Sequence, residues 1–162
     1  MTDSRLLSIY RDTLGMLSQL SIDYQLWQHE EILDFETDLL VAKRLGWQGV
    51  HTKSLFLKLK GGGYAIYLTD MDSRLDSKLL KNTLGTKVSI CSNEEMIGKL
   101  GCVPGAVCPF ATAREVITVV NHQLFDKKQL LFTPGVPTET VGFSGESLEK
   151  LLKSMPNQLI VI

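Results

Sequence analysis

The chain has 162 residues, of which 44% are hydrophobic and 22% charged, and its net charge at pH 7 is −1. This length suits one compact domain, so we expect a single domain over residues 1–162. A charge so near zero argues against a strong non-specific nucleic-acid binder, and no DNA partner is expected.

The charges are unevenly distributed along the chain. The first forty residues carry eight acidic side chains against two basic ones, and the next sixty carry ten basic side chains against five acidic ones. Such asymmetry can mark a nucleic-acid face. On charge alone, ordinary solvated surfaces are favoured.

The sequence contains no apolar run long enough to span a bilayer, so no membrane partner is expected. The start, MTDSRLLSIYRDTLGML, lacks the uninterrupted apolar core of a signal peptide, so a cytoplasmic location is expected. Three cysteines, an odd number, argue against a disulfide framework. The spacing of these cysteines and of the scattered histidines matches no metal-site pattern, so neither a metal nor a cofactor is expected.

The first half of the chain alternates between helix and strand signals. Leu7, Tyr10, Leu14 and Leu17 recur at helical spacing and predict an amphipathic helix over residues 4–20. DYQLWQ then predicts a strand, and FETDLLVAKRLG predicts a helix that ends at Gly46. TKSLFLKL and YAIYLTD predict two strands joined by a turn at KGGG, and DSKLLKNTLG predicts a short helix.

The second half continues this alternation. KVSIC predicts a strand, and Ser92 with Glu95 forms a capping-box signature for a helix that Gly101 closes. EVITVV, QLLF and TETVGF predict three more strands, Ser144 can cap the helix GESLEKLLKSM, and QLIVI predicts a final strand. The whole pattern predicts an α/β fold with a mixed, curled, barrel-like sheet flanked by helices.

Three stretches could carry chemistry, although no Walker loop, dinucleotide fingerprint, zinc-protease or serine-hydrolase motif occurs. In the first, HTKSLFLK, Lys53 opens an otherwise apolar strand. Its ammonium group could face a cleft and hold an anion or a carbonyl. It could also lie on the solvent face of the strand, and the alternation around it does not decide.

The second stretch is the uncharged loop GCVPGAVCPFA, residues 101–111. Its GxxxP segment runs from Gly105 to Pro109, and the backbone amides of Ala106, Val107 and Cys108 could converge there on a carbonyl or an oxyanion. A tight structural connection between a helix and a strand is the alternative.

The third stretch is LFTPGVPTET. The hydroxyl groups of Thr133 and Thr138, beside Pro134, could line a polar pocket wall. The alternative is a turn followed by a β-strand, which threonine favours.

Taken together and in this order, HTKSLFL, LGCVPGAVCPF and FTPGVPTET resemble the YbaK-like family of aminoacyl-tRNA deacylases. That family includes the editing insertion of bacterial prolyl-tRNA synthetases and its free-standing relatives. The resemblance runs from about Gln28 to the C terminus and implies the fold of the prolyl-tRNA synthetase-associated domain. It also implies hydrolysis of the ester between a wrong amino acid and the 3′ end of a tRNA, without a metal.

The resemblance also implies roles for single residues. Lys53 matches the family lysine that acts near the terminal adenosine of the tRNA. The loop from Gly105 to Pro109 matches the family loop whose amides engage the substrate carbonyl, and Ala106, Val107 and Cys108 would help to set the size of the pocket. Cys108 is not proposed as a nucleophile, because nothing nearby in sequence would activate it. By family analogy, a synthetase or an elongation factor is expected as a partner.

The chain also departs from the family pattern. Ser54 and Thr133 stand where the family often has asparagine and histidine, and PTET replaces NTAT. Ser54, Thr133, Pro134 and Thr138 are expected to bind the substrate, and the changes could select another small amino acid of the alanine, cysteine, serine or threonine type. The changes could equally mean lost catalysis. The alternatives are then a module that binds an aminoacyl end, a nucleotide or a synthetase, or a protein-interaction domain that keeps only the fold.

Overall fold

The structure is a computed structural model. It describes residues 4–162 and arranges them in five α-helices and eight β-strands. The helices are α1 (Ser4–Gln19), α2 (Phe35–Leu45), α3 (Ser77–Leu84), α4 (Asn93–Leu100) and α5 (Gly145–Ser154), with a 3₁₀ helix at His122–Asp126. The strands are β1 (Gln25–Gln28), β2 (Val50–Leu59), β3 (Tyr64–Asp70), β4 (Val88–Ile90), β5 (Ile117–Val120), β6 (Leu130–Phe132), β7 (Glu139–Phe143) and β8 (Leu159–Val161).

Strand β2 joins the two halves of the sheet because it pairs with three other strands. It runs antiparallel to β3 and β4, while its first two residues pair in parallel with β6. From β6 the sheet continues through β7 to β1, and from β3 it continues through β5 to β8. The predicted α/β class and the mixed, curled sheet are therefore confirmed. Lys53 lies close to the point where the two halves meet.

Two hydrophobic clusters lie on opposite faces of the central strands. Phe56 and Ile66 belong to the larger cluster, which also contains buried residues of α1 and α5. Leu57 and Tyr67, the next residues along the same strands, belong to the smaller cluster. Successive side chains of a strand point to opposite faces, so burial on both faces explains why YAIYLTD is almost continuously apolar.

The ends of helix α2 are fixed by local hydrogen bonds. Asp34 caps its start, because Oδ1 accepts a bond of 2.7 Å from the amide of Thr37. At the other end Gly46 has a φ of 70°, and its amide donates to the carbonyl of Ala42. The predicted end at Gly46 is confirmed, and the cap at Asp34 fixes where α2 begins.

The predicted capping box at α4 forms only in part. Ser92 Oγ accepts a bond of 3.1 Å from the amide of Glu95, as expected. The carboxylate of Glu95 does not return to Ser92, since it accepts a hydrogen bond from the Tyr64 hydroxyl and lies 3.4 Å from Lys58 Nζ. The reciprocal half of the prediction is therefore wrong: Glu95 joins α4 to the sheet instead.

Among residues 4–162, no helix combines the length and the apolar character that crossing a membrane requires.

Candidate active site

A cleft of about 370 Å³ opens beside the N-terminal half of β2. Residues 52–56 of β2 form one wall, and residues 32–35 with Asp38 form another at the start of α2. The loop before β5 contributes Pro104, Gly105 and Val107. The rest of the lining comes from Met71, Ile90, Cys91, Asn93, Met96, Phe132 and Thr133. A volume in this range is typical of a small-ligand site.

The cleft brings together residues from all three stretches singled out in the sequence. Its lining includes Lys53, Ser54, Gly105, Val107 and Thr133. The curled sheet makes this possible, because the start of β2 lies beside β6, and Thr133 directly follows β6. Lys53 thus lies in the lining of the cleft, where the functional interpretation expects it.

The remaining predicted residues do not line the cleft. Ala106 and Cys108 are only 2% and 1% exposed. Pro109 and Pro134 are also buried, and Thr138 is exposed on the surface. The expectation that the side chains of Ala106 and Cys108 set the pocket size is corrected, because both face the protein interior.

The loop over the cleft is shaped by a tight turn. The amide of Ala106 donates to the carbonyl of Val103 at 2.9 Å, and Gly105 between them has a φ of 86°. Proline followed by a left-handed glycine at the two central positions is the signature of a type II turn. The amide of Ala106 is consumed by this turn, so the expectation that it faces the substrate is also corrected.

Of the three amides expected to face the substrate, the one on Val107 is available. The Cys108 amide belongs to a residue that is only 1% exposed and does not line the cleft. Within residues 4–162, the amide of Val107 has no acceptor. Because Val107 itself lines the cleft, its N–H is the donor best placed for a carbonyl oxygen.

Cys108 is unsuited to act as a nucleophile. Its Sγ lies 3.4 Å from the hydroxyl of Thr13 in α1. Complete burial raises the pKa of the Cys108 thiol above its usual value, which disfavours the reactive thiolate. The cysteine is a core residue under the loop.

The charges in the cleft come from one lysine and two aspartates. In the described part of the chain, Lys53 forms neither an ion pair nor a hydrogen bond, so its ammonium group is free for a ligand. Asp38 Oδ2 lies 2.6 Å from Nδ1 of His51, and Asp34 caps α2. Across residues 4–162, no group of three or more His, Cys, Asp or Glu side chains is arranged to hold a metal ion.

The sequence interpretation missed the wall at the start of α2. Asp34 and Asp38 both line the cleft. Asp34 directly precedes the predicted helix FETDLLVAKRLG and Asp38 lies in its first turn, so the start of this helix was the available signal. Nothing in the local sequence indicated that the start of this helix would lie beside Lys53.

Comparison with known proteins identifies the family. Residues 40–151 match the aminoacyl-tRNA editing domain, a range that includes Lys53, the loop and Thr133. The chain is 29% identical over 152 residues to the prolyl-tRNA editing protein ProX of Acetoanaerobium sticklandii, with 89% of this chain and 90% of that protein covered. It is 28% identical over 134 residues to the multifunctional Ser/Thr-tRNA deacylase ProXp-y of Escherichia coli, with 79% and 78% covered.

Solved structures show the same fold. A crystal structure of a candidate trans-editing enzyme for prolyl tRNA synthetase superposes with a TM-score of 0.70 at 18% identity and covers 94% of this chain and 95% of its own. The crystal structure of a hypothetical protein superposes with a TM-score of 0.77 at 19% identity. The match covers 91% of this chain and 95% of that protein's chain. The matched range spans most of the chain and contains most of the residues that line the cleft, although the wall at residues 32–38 precedes it. The chain belongs to the aminoacyl-tRNA editing domain family.

Proposed function

We propose that this protein is a trans-editing deacylase, which hydrolyses the ester bond of a tRNA charged with the wrong small amino acid. The observation that carries the proposal is the meeting of Lys53, the Val107 amide and Thr133 in one cleft. The names of the relatives, a prolyl-tRNA editing protein and a Ser/Thr-tRNA deacylase, support the same activity.

The chemistry requires little beyond positioning. An aminoacyl ester is already activated, so a site that orients water and stabilises the oxyanion suffices. Water adds to the ester carbonyl, the Val107 amide donates to the oxygen as it gains negative charge, and the bond to the ribose oxygen then breaks as that oxygen takes up a proton. Lys53 supplies a fixed positive charge for the terminal nucleotide or the carbonyl.

The size of the cleft favours a small amino acid. About 370 Å³ must hold the aminoacyl group together with part of the terminal ribose. A synthetase pocket separates amino acids that differ by one methylene by only ~1–3 kcal/mol, so a second site that sorts by size is useful. We infer that alanine, cysteine, serine and threonine are the candidates.

The partners follow from the same function. A mischarged tRNA is the substrate, and a synthetase or an elongation factor is the proposed carrier that delivers it in the cytoplasm. We treat residues 1–162 as one editing domain, which would borrow affinity for tRNA from such a partner.

The test is a deacylation assay on alanyl-, cysteinyl-, seryl- and threonyl-tRNA. We expect the wild type to hydrolyse at least one of them, and Lys53→Ala to reduce that rate by roughly 100-fold or more. Lys58→Ala is the matched control, because Lys58 is an exposed lysine on the same strand and does not line the cleft. No turnover of any substrate by the folded wild type would overturn the proposal.

A second candidate is a binding module without catalysis. Ser54 and Thr133 favour it, because both line the cleft and both differ from the residues usual in the family pattern. Such a module would bind aminoacyl-tRNA and hydrolyse none. Turnover of one panel member at low enzyme concentration excludes it. A domain that keeps only the fold would show no salt-dependent tRNA binding at all.

A further inference from the structure

The carboxylate of Asp38 is held in place at the wall of the cleft. Its Oδ2 accepts a hydrogen bond of 2.6 Å from Nδ1 of His51, which stands two residues before Lys53 on β2. The His51 ring is fixed in turn by edge contact with Phe35, at 5.7 Å between ring centroids. Both side chains of the pair are largely buried, at 20% exposure for Asp38 and 14% for His51.

The second oxygen of this carboxylate is free. Within residues 4–162, Asp38 Oδ1 has no hydrogen-bond or ion-pair partner, although Asp38 lines the cleft that also contains Lys53. An anionic oxygen and a cationic nitrogen in one small cleft are complementary to a ligand with both a positive and a negative or carbonyl end.

Asp34, the other carboxylate of the cleft, is less suited to bind a cation. It is exposed to solvent, and its Oδ1 already caps helix α2. A solvent-exposed charge is strongly screened, whereas a partly buried one acts on its neighbours with less screening. Asp38 therefore exerts the stronger attraction on a positive group inside the cleft.

We propose that Asp38, positioned by His51, binds the α-ammonium group of the aminoacyl ester and makes the enzyme selective for esters that carry this charge. The proposal rests on the deacylase function above and deepens it. The Val107 amide and Lys53 line the same cleft and would then be available to the ester carbonyl. An ester whose α-substituent is neutral, such as a 2-hydroxyacyl ester, would lack this anchor.

The experiment compares two substrates that differ in this group alone. Whichever of the alanyl-, cysteinyl-, seryl- and threonyl-tRNAs is hydrolysed is paired with its 2-hydroxyacyl counterpart, in which a hydroxyl replaces the ammonium. We expect the wild type to prefer the aminoacyl ester in kcat/KM, and Asp38→Asn to reduce that preference by about ten-fold or more, the size of a lost charge-assisted hydrogen bond. A merely structural role for Asp38 would slow both substrates equally and leave the ratio unchanged.

Asp34→Asn is the matched control. It removes the other cleft carboxylate, yet asparagine caps a helix as well as aspartate does. We expect its ratio to stay near that of the wild type. An equal fall in Asp34→Asn and Asp38→Asn would overturn the assignment to Asp38.

Variants of His51 provide a second test of the proposal that leaves Asp38 itself unchanged. His51→Asn keeps a nitrogen donor near the position of Nδ1 and should preserve the ratio, whereas His51→Ala should lower it. Circular dichroism shows whether Asp38→Asn folds. If it does not, the ratio of kcat/KM for the two esters is measured instead in Asp38→Ser and in the two His51 variants. An unchanged ratio in every folded variant of this set overturns the inference while leaving the deacylase function intact. Failure of the wild type on all aminoacyl esters overturns the function and this inference with it.

Discussion

Gly105 rests directly on the backbone of Leu33. A β-carbon on Gly105 would lie 2.0 Å from the carbonyl oxygen of Leu33, far closer than atoms can approach. The tip of the loop and the segment before α2 are therefore in contact, and both border the cleft. The spacing of these two walls depends on the absence of a side chain at this one position.

Gly105→Ala should consequently disrupt the cleft. The new methyl group must push the loop or the α2 wall away, and alanine at a φ of 86° adds backbone strain of ~1–3 kcal/mol. We expect thermal unfolding at a lower temperature and a loss of most deacylation activity. Gly62→Ala is the control, because Gly62 also has a positive φ, of 106°, but a β-carbon there meets nothing within 4 Å. Gly62→Ala should share the strain and keep the activity; equal activity losses would contradict the contact argument.

Larger residues at Ser54 and Thr133 should narrow substrate choice. Both residues line the cleft, so Ser54→Asn with Thr133→His adds volume inside it. We expect the ratio of threonyl-tRNA to alanyl-tRNA turnover to fall in this double variant, since the bulkier amino acid loses room first. Competition assays on the two charged tRNAs measure the ratio. Thr138→His places a histidine on the surface outside the cleft. This control should leave the ratio of threonyl-tRNA to alanyl-tRNA turnover unchanged.

The cysteines should differ in accessibility, with none of them required for turnover. Cys91 is partly exposed in the cleft, whereas Cys102 and Cys108 are buried. Iodoacetamide should therefore label Cys91 slowly in the native protein and reach the other two only after unfolding, as mass spectrometry would show. Cys108→Ala should retain deacylation and lower stability by about 1 kcal/mol, because it deletes one buried heavy atom. Lost turnover in a stable Cys108→Ala protein would reveal a catalytic thiol.

Stability should fall at alkaline pH because of two tyrosines. Burial, with a 3.0 Å hydrogen bond to Glu139, raises the pKa of Tyr10 to about 12. A hydrogen bond to Glu95, with burial, raises the pKa of Tyr64 to about 12. Both pKa values exceed the value of about 10 expected in the unfolded chain, so the folded state holds these protons more tightly. Their stabilisation is fully present below about pH 10 and is lost as the pH rises toward about 12.

Urea unfolding at a series of pH values from about 9 to about 11.5 tests this. The free energy of unfolding of the wild type should decrease across the series. Tyr10→Phe with Tyr64→Phe should start lower and decrease less steeply, because phenylalanine has no proton to lose. Parallel curves for the two proteins would show that other groups cause the alkaline loss.

Local sequence signals predicted most of the secondary structure. Strand β3 begins and ends where YAIYLTD does, and Gly46, Gly85 and Gly101 end their helices in the left-handed conformation. These features depend on neighbours within one helical turn or one strand, so a short window of sequence contains their causes. The half-formed capping box at Ser92 shows the limit of such windows, because the partner of Glu95 is Tyr64, far away along the chain.

The candidate site could be predicted only where a short motif marked it. Lys53, Gly105 and Thr133 stood in motifs, and all three line the cleft. Asp38 stood in an ordinary amphipathic helix, so its place in the wall was not predictable. The orientation of the loop was not predictable either, since its residues carry no charge and either face of such a loop can be buried.

The sequence by itself determined the α/β class, the order of helices and strands and the family, because each depends on local pattern or on motif order. The tertiary structure alone decided that Lys53 lines the cleft, that the Val107 amide is left without an acceptor within residues 4–162, and that Asp38 lies beside His51 in the cleft wall. These are outcomes of long-range pairing: β2 meets β6 in register at His51 and Leu131, and Gly105 meets Leu33. Contacts between residues so far apart in sequence follow from the packing of the whole chain and leave no trace in any one segment.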